Sequence, residues 1–132
     1  HGGFINQIFM AYLPNSYRLL GKIISANMNS TSDQAIAISP TKYYIDKVIV
    51  TNASTSLTLA VGGLYTASSK GGTQVIGNTQ VFSALTANTK IISLPSLVTG
   101  DVLTASQLFL SLTTAQGGTA TADIYIYGFD LS

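Results

Sequence analysis

The chain has no cysteine, no tryptophan and, in 132 residues, a single histidine. Without cysteine there is neither a disulfide framework nor a thiolate metal site. With only His1, a Ser-His-Asp triad or a His-based metal site has almost nothing to be built from; a tag remnant or a processed end is the expectation for that residue. Charge is equally scarce. Asp, Glu, Lys and Arg make up 8% of the residues, against about 25% in ordinary domains. All five acids are aspartates, and the six bases, Arg18, Lys22, Lys42, Lys47, Lys70 and Lys90, are scattered. A net charge of +1 without a basic cluster argues against nucleic acid as a partner, since phosphate binding needs concentrated Lys and Arg. No apolar run approaches the roughly 18 residues of a membrane span, so no membrane partner is expected.

Ser, Thr, Asn, Gln and Gly supply most of the polarity, while 46% of the chain is hydrophobic. Such a composition suits a Val, Ile and Leu core under a hydroxyl-rich surface. It also suits apolar surface that is buried only in an assembly, because a nearly uncharged chain has little to keep copies apart.

The clearest strand signal is Thr119 to Leu131. Ala120, Ala122, Ile124 and Ile126 fall on one side of a period-2 pattern, and Thr121, Asp123, Tyr125 and Tyr127 on the other. Tyr17 to Asn27 reads as a strand with a bulge or close approach at Gly21. Ala35 to Ile38 is short. Tyr43 to Asn52 is strongly β-branched, with Ile45 and Ile49 on one side and Val48 and Val50 on the other, which predicts a central strand with two covered faces. Leu57 to Val61 alternates, and Gly62-Gly63 is expected to break or kink the run before Leu64-Tyr65. Ser68 to Gly72 is a loop tip, and Thr73 to Ile76 a short strand. Thr89 to Leu94 ends at Pro95, and Val98 to Leu103 holds a turn at Gly100-Asp101. Gln107 to Thr113 places Leu108, Leu110 and Leu112 inward, and Ala115 to Gly118 leads into the last strand. These signals predict an all-β fold, an antiparallel β-sandwich of about eight strands, with a Greek-key jelly roll preferred over an immunoglobulin-like sandwich because the Cys and Trp marks of the latter are missing. Residues 17–132 form a single sandwich domain in this reading, preceded by an apolar arm over residues 1–16.

That arm carries Phe4, Ile5, Ile8, Phe9 and Tyr12, the partner-binding candidates. Their spacing suits one or two helical turns before Pro14, and an extended arm fits equally well. It either packs on its own sandwich or lies on a neighbouring subunit; so many large apolar groups do not suit a free tail.

Catalytic and metal chemistry finds few candidates. The five aspartates are the available carboxylates; Asp123 and Asp130 lie on the last strand and Asp46 on a strong earlier one, and nothing in the sequence indicates that any two converge across a cleft. Asn27 to Asp33 is the nearest approach to a calcium loop, with a solvated loop favoured. Gly62-Gly63, Gly71-Gly72 and Gly117-Gly118 lack the helix, Lys and Ser/Thr of a phosphate cradle and read as turns. Asn52-Ala53-Ser54 fits an N-glycosylation acceptor weakly. Tyr65, Tyr125 and Tyr127 offer rings for sugar stacking, the basis of a lectin-like or receptor-binding alternative. No cofactor is expected and the chain does not read as an enzyme.

Two segments, KYYIDKVIVTNASTSLTLAVGGLYTASSKGGTQVIG at Lys42 to Gly77 and LFLSLTTAQGGTATADIYIYGFDL at Leu108 to Leu131, resemble small β-rich structural proteins of tailed bacteriophages, in particular the capsid decoration or cement proteins. The resemblance implies a jelly-roll homo-oligomer, with a trimer favoured, on the outer capsid surface of the virion. There it would bridge capsomers of the major capsid protein, and no catalytic residues carry over.

A last strand of this length belongs inside a sheet, and its loss would open an edge. Truncation before Asp123 is predicted to give an insoluble product; a soluble truncation that melts cooperatively would contradict this.

Overall fold

A computed structural model describes residues 16–132. Eight strands follow in order: β1 (Tyr17–Asn27), β2 (Gln34–Ala37), β3 (Tyr43–Thr51), β4 (Val61–Ala67), β5 (Gly71–Ile76), β6 (Ile91–Leu94), β7 (Gln107–Thr114) and β8 (Thr121–Asp130). They form two four-stranded sheets, β1-β8-β3-β6 and β2-β7-β4-β5. The chain behaves as one long hairpin, pairing β1 with β8, β2 with β7, β3 with β6 and β4 with β5, all antiparallel. Rolling that hairpin up adds β3·β8 and β4·β7, which completes a jelly roll. The expected antiparallel sandwich is therefore the observed one, and β8 lies centrally, between β1 and β3.

Alternation builds the core as the sequence suggests. Leu108, Leu110 and Leu112 of β7 and Ala122, Ile124 and Ile126 of β8 are buried between the sheets. Loop residues close the sandwich: Met28, Leu57, Phe82, Leu85 and Val98 are buried as completely as strand residues. Tyr43 is the largest fully buried side chain; its hydroxyl donates to the Ala105 carbonyl at 2.6 Å, and burial pushes the phenol up to about 12. Gln116 ties the loops at one end of the roll. Its Oε1 accepts from the Leu59 and Ala60 amides, its Nε2 donates to Thr58, and its own amide donates to the Met28 carbonyl.

Two expectations change, and a third is narrowed. β3 has one covered face rather than two, because a bulge at Asp46 shifts the parity and turns Ile45, Val48 and Val50 all inward, leaving Ile49 half-buried on the outside. Leu57 to Ala60 is a loop: Leu57 is buried as a plug, its amide donating to the Leu85 carbonyl, while Leu59 stays 59% exposed. Gly62-Gly63 lies inside β4, where the pairing with β7 shifts between Val61 and Gly62, so of the expected break or kink it is the kink that is seen. A side chain at Gly63 would come within 2.5 Å of the Ile76 carbonyl oxygen and 3.1 Å of the Tyr65 hydroxyl. Between the sheets at this level, an apolar void of about 10 Å³, bordered by Gly62, Gly63, Phe82 and Ile124, has room for no more than one water.

Gly128 of β8 pairs with Ile45 beside the Asp46 bulge, where the Tyr44 carbonyl occupies the space a side chain would need. Gly128→Ala is predicted to destabilise the protein by about 3 kcal/mol through overpacking in the central strand. Urea unfolding checks it: the midpoint falls with an unchanged slope, and an unshifted midpoint would contradict the close approach.

Candidate functional site

The outward side of the first sheet is an aromatic surface ordered by strand register. Residues directly opposite across a sheet share a face. Three rows follow across β1, β8 and β3: Tyr17, Phe129 and Tyr44; Leu19, Tyr127 and Lys47; Lys22, Tyr125 and Ile49. Two bulges make these rows possible. One skips Leu20 of β1 and the other Asp46 of β3, so Leu20 is buried in the core while Tyr17, Leu19 and Lys22 stay outside.

At the end of the face where β1 begins, the Tyr17 ring meets Phe129 edge-on, with centroids 5.1 Å apart and planes at 77°. Tyr44 packs on the other side of Phe129 at 6.3 Å and 32°. Tyr17 and Phe129 keep 37% and 39% of their surface exposed, and Tyr44, Tyr125 and Tyr127 are half-buried. The Tyr17 hydroxyl donates to Asp46 at 2.8 Å. Burial first, then the hydrogen bond to Asp46 and its charge, raise this phenol above its ordinary value. Arg18 and Asp130 form an exposed ion pair at 3.3 Å beside it, and Arg18 also donates to Ser39. The face therefore offers ring edges, aliphatic carbon and the two exposed cations Lys22 and Lys47 at its margins.

The outer side of the second sheet is covered in part: Tyr65 and Ser111 are buried, Phe109 is half-buried, and Ala35 and Ala37 are exposed. Ser69 and Lys70, at the β4–β5 turn, both adopt left-handed backbone, with φ of 58° and 56°, as a tight hairpin demands. The Ser69 amide donates to Asp33 at 2.7 Å, and the Lys70 Nζ donates to the Ser111 Oγ at 2.9 Å. A lysine on a serine hydroxyl, near an aspartate, resembles an activated nucleophile, but Ser111 is 1% exposed and its hydroxyl accepts from Lys70. The arrangement is a latch that folds the hairpin over this face. Tyr65 lies beneath, its hydroxyl over Gly63, and is only 4% exposed. It cannot serve as the sugar-stacking ring the sequence offered.

The remaining candidates are absorbed locally. In the loop from Asn27 to Asp33, Asn27 Oδ1 accepts from the Asn29 amide, Asn29 Oδ1 from Gly117 and Ser30 Oγ from Ser32, so the oxygens considered for calcium cap backbone amides. Among the described residues no group of three or more Asp, Glu, His or Cys is placed to hold a metal ion. Asp123 is buried and accepts from the Ser25 amide at 2.8 Å and from Asn52 Nδ2 at 3.0 Å, holding two residues whose φ is positive. The Asn52 amide nitrogen of the glycosylation triplet is thus already engaged. Gly117 turns with φ of 90°, as read from the sequence. Phe4, Ile5, Ile8, Phe9 and Tyr12, together with His1, lie outside the described residues. Sequence reasoning did not find the cluster of Tyr17, Tyr44 and Phe129. Extending the outward alternation of Tyr125 and Tyr127 by one step reaches Phe129, but Tyr44 joins it only through pairing that no local pattern reveals.

The Asp33 carboxyl lies below its ordinary value of 3.8, chiefly because the Ser69 amide and then Ser111 donate to it, with the Lys70 charge adding to the effect. A depressed folded value means its stabilisation is present above the unfolded value and is lost as pH falls through the folded one. Asp33→Asn is predicted to flatten the loss of stability below about pH 4, read from thermal melts against pH; an unchanged acid limb would contradict the latch. Compared with family models, curated proteins and solved structures, the chain matches none of them.

Proposed function

We propose that this protein is a structural virion subunit that decorates and cements a tailed-phage capsid from its outer surface, homo-oligomerising, with a trimer favoured, and bridging capsomers of the major capsid protein. The observation that carries the reading is the aromatic face of the first sheet, half-exposed on a chain that has only 8% charged residues. Apolar surface of this kind, with few charges to oppose association, suits burial against other protein. A cement protein acts by many such contacts at once, each weak alone and additive through multivalency. Fold by itself does not choose this role, because jelly rolls host many functions. The apolar arm supports it independently: Phe4, Ile5, Ile8, Phe9 and Tyr12 are the side chains in which interface energy concentrates.

The second reading, a lectin-like or receptor-binding module, rests on Tyr125 and Tyr127, which do reach the open face. A glycan array separates the two, since a cement protein shows no sugar preference.

Deleting residues 1–13 is predicted to leave the melting temperature of the sandwich unchanged and to abolish both self-association, measured by light scattering, and binding to undecorated phage heads. An arm-deleted protein that assembles and binds as the full chain does would overturn this reading.

A further inference from the structure

The arm needs an acceptor surface, and the two sheets do not offer equal ones. On the outer side of the second sheet Tyr65 and Ser111 are buried, and the Lys70 side chain of the β4–β5 turn reaches across to Ser111. No described segment covers the outer side of the first, where Tyr17 and Phe129 remain more than a third exposed. The chain outside the described residues joins this open face directly. Its last residue before the described part is Asn15, two positions before Tyr17, whose ring is stacked edge-on against Phe129.

Residues 1–15 contain no Asp, Glu, Lys or Arg, so laying them between Lys22 and Lys47 buries no unpaired charge of their own. Phe4, Phe9 and Tyr12 would bury about 150–250 Å² each. Ile5 and Ile8 bring the sum toward the roughly 800 Å² per partner of a stable interface. β1 runs antiparallel to β8 and begins at Tyr17 opposite Phe129, so the described fold is entered at the Phe129 margin of this face.

We infer that the outer face of the first sheet, centred on Tyr125, Tyr127 and Phe129, is the docking site for residues 4–13 of a second copy of this chain. The inference rests on the reading of the arm as an assembly element and adds where it binds. Each copy gives an arm and receives one. Such a head-to-tail contact closes into a ring when its rotation allows, which is how a trimer would arise.

The absence of cysteine allows a direct test in the full-length protein. Chains carrying Phe4→Cys, Phe9→Cys or Tyr12→Cys are mixed with chains of different tagged mass carrying Tyr127→Cys, then oxidised gently. At least one arm position is expected to form a disulfide between the two kinds of chain. A single chain carrying both Phe9→Cys and Tyr127→Cys that closes onto itself at monomer mass would overturn the inference, as would the absence of any cross-link between the two kinds of chain. A second variant, Tyr125→Ser with Tyr127→Ser, is expected to keep its melting transition and to need about tenfold or more higher concentration to assemble. Undiminished assembly of that variant, with arm deletion still abolishing assembly, would reject this docking site and leave the assembly reading standing. Undiminished assembly after arm deletion would remove both.

Discussion

The structure depends on how tightly the chain is drawn around β8. This strand lies between β1 and β3, and each neighbour carries one residue out of register close to Tyr127 and Gly128. At Gly128 the backbone of β3 comes so close that any side chain would meet the Tyr44 carbonyl. The bulges have two consequences at once. They send Leu20 and Ile45 into the core, and they hold Tyr17 and Tyr44 on either side of Phe129. Core packing and surface aromatic order are therefore set by the same local irregularity.

The two outer faces of the sandwich are treated in opposite ways. On the second sheet, a hairpin with two left-handed residues is folded back and held by Asp33, while Lys70 caps the buried Ser111. On the first sheet the aromatic residues pack on one another and stop half-covered. Asp123 contributes at the far end of β8, where it fixes the two left-handed positions Ser25 and Asn52.

Much of this was legible in the sequence. Clean period-2 alternation marked β7 and β8, and the glycine in Tyr17 to Asn27 pointed to the irregularity of β1. Signals for about eight short strands, with no long helical pattern among them, called for a sandwich, and eight strands are observed. What failed did so for one reason: alternation is local, and register is not. The parity change at Asp46 made a half-exposed strand look covered on both sides. Leu57 looked like a strand residue because a buried plug and a strand give the same short apolar pattern. Tyr65 looked like a surface ring because nothing near it in sequence announces its burial. The arm candidates lie outside the described residues, and the face of Tyr17, Tyr44 and Phe129 exists only once β1, β8 and β3 are side by side.

The central claim is that this chain works by associating with copies of itself. The most direct measurement is the mass of the intact protein in solution, by light scattering across a dilution series. A closed oligomer, a trimer above all, that dissociates on dilution is the predicted result. A monomer at every concentration would contradict the claim.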